Sequence, residues 1–189
     1  MSAMRMFVAI PVPDALSASF ESIRPDLSGL RWGGPGSQHL TLAFLGEVEE
    51  PQRTALVGEL ELVEHPAFEL RVSGVGCFGG RSGRPRVLWA GVEDRDGSLA
   101  ALRGKVVEAL RRAGIERDFG RFLPHVTLAR GRRLERAACR SWLERNRRRG
   151  LGRLPVREFR LFSSHRNPRG VEHRTVLRQV LGSPGPTAG

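Results

Sequence analysis

Apolar and polar residues fall in short, regular blocks along this chain of 189 residues, and the blocks predict strands alternating with helices. Met4–Ile10 (MRMFVAI) is largely apolar and reads as a buried strand. Pro11 and Pro13 then open a helix over about Asp14–Ile23, which Pro25 ends. After a glycine-rich turn at Gly33–Gly36, His39–Leu45 (HLTLAFL) alternates as a half-buried strand does. Glu49–Glu64 sets Ala55, Leu56, Leu60 and Val63 on one helical face. Phe68–Val75 and Arg86–Val92 read as strands joined by a glycine- and arginine-rich loop, Gly79–Pro85. The order then returns: a periodic helix over Ser98–Ala113, a strand over Pro124–Arg130, and a basic amphipathic helix over Leu134–Arg148. Val156–Ser163 and Glu172–Leu181 are the closing strands, and Gly182–Gly189 is a Gly/Pro/Ser-rich tail expected to fray.

This alternation points to an α+β fold of two pseudo-symmetric lobes. Each is expected to be an antiparallel sheet with helices outside. Several strand pairs lie too close in sequence for the helical crossovers of a doubly wound sheet. The expected unit is a single bilobal domain over residues 1–181, with repeated halves of roughly 1–95 and 96–181. Exchange of terminal strands between the halves is left open.

Charge sharpens the picture. Thirty-one Lys plus Arg stand against 20 Asp plus Glu, a net charge of +11, and Lys105 is the only lysine. A surplus of this size suits an anionic partner such as nucleic acid. Cys77 and Cys139 have no short Cys spacing, so neither a disulfide framework nor a zinc pattern is indicated. Met1–Pro11 lacks the length and cleavage pattern of a signal peptide. No apolar run approaches the ~18 residues of a membrane span. The expectation is a cytoplasmic monomer without membrane contact.

The chemistry lies in a repeat. His39-Leu40-Thr41-Leu42 recurs as His125-Val126-Thr127-Leu128, once in each half and each time on a strand. Residues i and i+2 of a strand share a face. His39 and Thr41 therefore point one way while Leu40 and Leu42 enter the core, and His125 and Thr127 repeat the arrangement. Two imidazoles suit in-line displacement at phosphorus, which needs one base and one acid near neutral pH. The Thr41 and Thr127 hydroxyls are placed to bond non-bridging oxygens as charge builds on them. Neither motif holds a second histidine or a carboxylate, so no metal and no cofactor is expected. Glu47, Glu49 and Glu50 lie past the strand end, where they start a helix. His65, His165 and His173 lie outside any motif and read as surface or structural residues.

With the two His-x-Thr-x motifs in place, the chain resembles the 2H phosphoesterase superfamily. Met6–Pro11 (MFVAIP), His39–Gly46 (HLTLAFLG), Pro85–Val92 (PRVLWAGV) and Pro124–Arg130 (PHVTLAR) resemble the RNA 2′,3′-cyclic phosphodiesterases, a family also known as the 2′-5′ RNA ligases. The likeness runs from about Met4 to Leu181. It implies two lobes around a cleft and hydrolysis of a terminal 2′,3′-cyclic phosphate to a 2′-phosphate. It also implies His39 as general acid toward the 3′ oxygen and His125 as the base that activates water. RNA ends or cyclic nucleotides are the implied partners. The closing strand departs from the family pattern, carrying His173 or Arg174 where a tyrosine is implied; the chain has no tyrosine. Phe44 and Arg130 stand five residues after His39 and His125, as candidates to stack a base and to pair with phosphate. Core packing for Phe44 and a plain surface position for Arg130 are the competing expectations. Three other functions use the same features: 2′-5′ ligation by the same residues in reverse, hydrolysis of small cyclic nucleotides, and RNA binding without turnover.

Overall fold

A computed structural model describes residues 3–79, 84–132, 134–167 and 170–182. The expected loop at Gly79–Pro85 and the expected tail fall mostly outside these residues. The chain forms an α+β fold around one curled antiparallel sheet. Its strands are β1 (Met4–Pro11), β2 (Leu30–Trp32), β3 (His39–Val48), β4 (Phe68–Gly79), β5 (Pro85–Glu93), β6 (His125–Gly131), β7 (Gly150–Val156), β8 (Glu158–Asn167) and β9 (Gly170–Val180). The helices are α1 (Asp14–Ser19), extended by a 3-10 turn at Phe20–Ile23, α2 (Glu50–Glu61), α3 (Ser98–Arg112) and α4 (Arg136–Asn146).

The sheet order is β7-β4-β5-β6-β3-β1-β8-β9, with β2 pairing β6 from outside this path. Read outward from the β6–β3 junction, the two lobes mirror each other. β6, β5, β4 and β7 make one; β3, β1, β8 and β9 make the other. The first lobe takes its strands from the middle of the chain, and the second takes β1 and β3 from one end and β8 and β9 from the other. Helices α1 and α4 pack on the first lobe, against β7 and β4, while α2 and α3 pack together and against β9 and β3 of the second.

Two strands depart from the expected pattern. A single strand over Val156–Ser163 is replaced by β7 and β8, which meet at Arg157. β7 contains Gly150, Gly152 and Pro155, residues that weaken a strand pattern. It is an edge strand of the sheet, the position where a proline is tolerated. The three-residue β2 is too short to leave a periodic trace.

Core and open face follow the predicted alternation. Leu40, Leu42, Leu88, Ala90, Val126 and Leu128 are 2% exposed or less and join the helices in one continuous core. A smaller buried cluster of Phe7, Ala9 and Phe162 is separate from that core. Phe7 and Phe162 are cross-strand partners and stack at 5.1 Å.

Candidate active site

The two motifs meet at the centre of the sheet. Among the described residues, β3 and β6 share one ladder pair, Leu40–Val126, and both side chains are fully buried. An antiparallel register through that pair sets His39 opposite Thr127 and Thr41 opposite His125, all four on the face away from the core. The histidines are then diagonal neighbours, at a backbone spacing of about 7–8 Å for a regular pair.

Each imidazole is anchored in the same way. His39 Nδ1 lies 3.1 Å from the Ser37 carbonyl and His125 Nδ1 lies 2.7 Å from the Leu123 carbonyl, two residues back in each case. A carbonyl only accepts, so Nδ1 carries the proton and Nε2 is left as the titrating nitrogen. The residue before each histidine is also held alike. The Val12 N–H donates to the Gln38 carbonyl at 3.1 Å, and the Val92 N–H to the Pro124 carbonyl at 3.2 Å.

A matched pair of bulges decides what else faces the site. Between β1 and β3 the register passes from Ala9–Thr41 to Val8–Ala43, leaving Leu42 as the extra residue. Between β5 and β6 it passes from Trp89–Thr127 to Leu88–Ala129, leaving Leu128 as the extra residue. In a regular strand, positions i and i+5 lie on opposite faces. The added residue turns Phe44 and Arg130 onto the face of the histidines. Phe44 is accordingly 61% exposed and lies outside the core.

The surroundings of the two rings differ. His39 is ringed by Phe7 at 4.9 Å, His173 edge-on at 5.5 Å and Phe162 at 6.1 Å between centroids. Burial lowers the His39 pKa to about 4, helped by the charges of His173, Arg130 and His125 and opposed by the Ser37 hydrogen bond. His125 instead meets Phe78 at 5.0 Å and Trp89 at 5.9 Å. The Trp89 indole lies over Gly76, where an added Cβ would come within 2.0 Å of the ring.

A cleft of about 1070 Å³ opens on the His39 side, with His39, Phe44, Thr127 and Arg130 in its walls. His125 and Thr41 reach the same face through the β3–β6 junction rather than through the walls of this cleft. Two buried indole N–H groups, of Trp32 in the cleft wall and Trp89 beside His125, have no acceptor among the described residues. No three His, Cys, Asp or Glu side chains among the described residues group in a way that could hold a metal ion.

Two residues escaped the pattern reading. His173 lines the cleft, with Nδ1 3.1 Å from Ser164 Oγ and its ring 4.9 Å from Phe7. Burial and Arg130 both lower its pKa. Its position on the closing strand, where the family resemblance implies a tyrosine, was the available signal. Arg103 on α3 left none. Its Nε donates to the carbonyl of the bulged Leu42 at 3.1 Å and its Nη2 to the Phe119 carbonyl at 3.0 Å, with the guanidinium 4.6 Å over the Phe122 ring. It thus ties the His39 strand to the segment that leads into the His125 strand.

The chain belongs to the 2′-5′ RNA ligase superfamily, whose family model matches residues 12–168. It is 34% identical over 176 residues to an RNA 2′,3′-cyclic phosphodiesterase of Archaeoglobus fulgidus, covering 92% of this chain and 98% of that one. It is 29% identical to the protein of that name from Aquifex aeolicus, over 96% of this chain and 100% of the other. Among solved structures, E. coli LigT in complex with 3′-AMP superposes with a TM-score of 0.75 at 25% identity, covering 96% of this chain and 100% of that one. No helix among the described residues is long and apolar enough to cross a membrane.

Proposed function

We propose that this protein hydrolyses the terminal 2′,3′-cyclic phosphate of RNA to a 2′-phosphate, with His39 and His125 as the acid–base pair. The observation that carries the proposal is the matched pair of imidazoles on one sheet face. Each is anchored through Nδ1 to a carbonyl, and each stands opposite the other motif's threonine. The relatives named RNA 2′,3′-cyclic phosphodiesterase supply the substrate class.

The pair works as follows. His125 Nε2 takes a proton from water as the water oxygen bonds to phosphorus. The bond from phosphorus to the 3′ oxygen breaks, and His39 Nε2–H protonates that oxygen. The product has a 2′-phosphate and a free 3′ hydroxyl. Thr41 and Thr127 donate to the non-bridging oxygens, Arg130 offsets their charge, and Phe44 stacks the terminal base. His39 is neutral at pH 7 in the free protein, since its pKa lies at about 4. Its acid role therefore requires a proton gained on binding. The phosphodiester anion favours this, because its negative charge stabilises the imidazolium against the burial and the positive charges that hold the pKa down.

The low His39 pKa also supports a second reading, with His39 as base and His125 as acid. Proton uptake separates the two. A deoxydinucleotide carries a phosphodiester that stays singly charged between pH 5 and 7. In its complex with the protein, ring-proton NMR should find His39 protonated if it becomes the acid and still neutral if it stays the base. The function itself is tested by incubating an RNA ending in 2′,3′-cyclic phosphate with the protein and excess chelator. A 2′-phosphate end is expected, whereas an unchanged cyclic end or a 3′-phosphate would count against the assignment.

A further inference from the structure

Arginines across much of this surface are matched by acids. Arg53 pairs with Glu50, Arg112 with Glu59 and Glu108, Arg153 with Glu69 and Arg178 with Glu158. Three arginines in the cleft wall are different. Arg5, Arg117 and Arg166 have neither an ion pair nor a side-chain hydrogen bond among the described residues.

These three come from separate parts of the chain and converge on one corner. Arg5 on β1 lies opposite Glu47 of β3 and Ser164 of β8. Arg166 lies two residues further along β8 and so shares the face of Ser164. Arg117, in the segment between α3 and β6, rests its guanidinium against Gly46, the neighbour of Glu47. A Cβ built on Gly46 would sit 2.6 Å from Arg117 Nη2, and Gly46 has φ +71°. Glycine thus leaves the space that the guanidinium uses. Val171, the partner of Arg166 across the β8–β9 hairpin, is 57% exposed and adds apolar surface to the corner. The one carboxylate among the described cleft walls is Glu47, which leaves a net positive charge there.

We propose that Arg5, Arg117 and Arg166 form a subsite for the phosphates of the RNA chain 5′ to the terminal cyclic nucleotide. The proposal rests on the phosphodiesterase reading of the cleft and extends it to the length of the substrate. A mononucleoside cyclic phosphate carries one charge, which the histidine pair and Arg130 already meet. A second cluster of unmatched cations beside exposed apolar surface is what a single strand uses, since cations follow its backbone and apolar groups meet its bases. A cleft of about 1070 Å³ also exceeds the common range for one small ligand, about 300–1,000 Å³.

The test compares two substrates of the full-length protein: an RNA oligonucleotide ending in 2′,3′-cyclic phosphate, and a mononucleoside 2′,3′-cyclic phosphate. The wild type should prefer the oligonucleotide. The double variant R5A/R117A should raise KM for the oligonucleotide by about five-fold per arginine. It should also flatten the log–log dependence of kcat/KM on salt by about 0.7 per arginine removed. Turnover of the mononucleotide should stay at the wild-type level, which also shows that the variant is folded. R117K alone should keep the salt dependence, because a point charge suffices. Equal losses on both substrates, or a wild type with no preference for the longer one, would overturn the subsite. Turnover of neither substrate by the wild type would instead refute the phosphodiesterase reading. The subsite would then be judged by oligonucleotide binding, which R5A/R117A should weaken if the subsite stands and leave unchanged if it does not.

Discussion

The two lobes build the same device into different surroundings. In both, a His-x-Thr strand carries a bulge three residues after the histidine, and a carbonyl two residues before it fixes the ring. Beyond that frame they diverge. The His39 lobe packs Phe7 on Phe162 and brings His173 to the imidazole, which Arg130 approaches from β6 of the other lobe. The His125 lobe puts Trp89 at the register position matching Ala9, with Gly76 where the other lobe has Arg160, and pairs Val87 with Phe78 where the other lobe pairs Phe7 with Phe162. A shared backbone therefore supplies two equivalent nitrogens, and the side chains around them set how each is used. One lobe opens into the cleft, while the other fills the equivalent space with an indole.

The largest effect should come from the shared frame. His39→Ala and His125→Ala should each lower kcat/KM on a cyclic-phosphate RNA by about 10²–10⁴-fold with the fold intact. The double variant should lose little more than the worse single one, because the pair acts as a unit. Steady-state rates with circular dichroism as the folding control check this. Near-normal activity in either single variant would leave only one histidine in the mechanism and reduce the symmetry to a record of folding.

How far this was legible in sequence depends on the range of the cause. The repeat, the shared face of His39 with Thr41, and the burial of Leu40 and Val126 follow from a period of two and from local composition. The α+β class follows from the spacing of the blocks. What stayed hidden depends on pairing between distant strands. Phe44 was a candidate by its place five residues after His39, but the one-residue slip of β1 against β3 at Leu42 that turns it to the cleft has no local pattern. β7 was disguised by the glycines and proline that an edge strand tolerates. His173 reaches His39 because β9 pairs with β8 and β8 with β1, two steps of register away. Arg103 joins the motifs through carbonyls, which have no side-chain signature.

The filled and open lobes should also respond differently to small changes in volume. Gly76→Ala places a Cβ against the Trp89 indole, which must move or strain. Overpacking of this kind typically costs about 1–3 kcal/mol, and here it should also displace the ring that borders His125. Phe162→Ala on the other side removes a ring 9% exposed from the small cluster beside His39. Its cost should be of the same order or somewhat above, about 3 kcal/mol, by lost burial rather than by strain. Urea midpoints measure both, and tryptophan fluorescence should change mainly in Gly76→Ala. A neutral Gly76→Ala would mean that the indole moves freely and that the lobes differ less in packing than the indole over Gly76 implies.

The smallest effect isolates what makes His39 unlike its counterpart. Burial is the leading cause of its low pKa, and His173 is the next, ahead of Arg130 and His125. Phenylalanine at position 173 keeps an aromatic edge against Phe7 and His39 but removes the charge. His173→Phe should therefore raise the His39 pKa from about 4 part of the way toward 6.5, because burial, Arg130 and His125 still act on it. Ring-proton NMR titration of His39 reads the shift directly. Stability gives an independent check with a defined sign. The unfolded chain takes up a proton on His39 near pH 6.5, which the folded chain refuses until about pH 4, so acidification through that window costs stability. His173 itself has a lowered pKa and adds to the same loss. The variant should lose less stability between pH 6.5 and 4 than the wild type, both because the window for His39 narrows and because His173 no longer titrates. A His39 titration unmoved by the substitution would assign the depression to burial, Arg130 and His125 without His173. The third imidazole would then be a neighbour of the site with no electrical part in it.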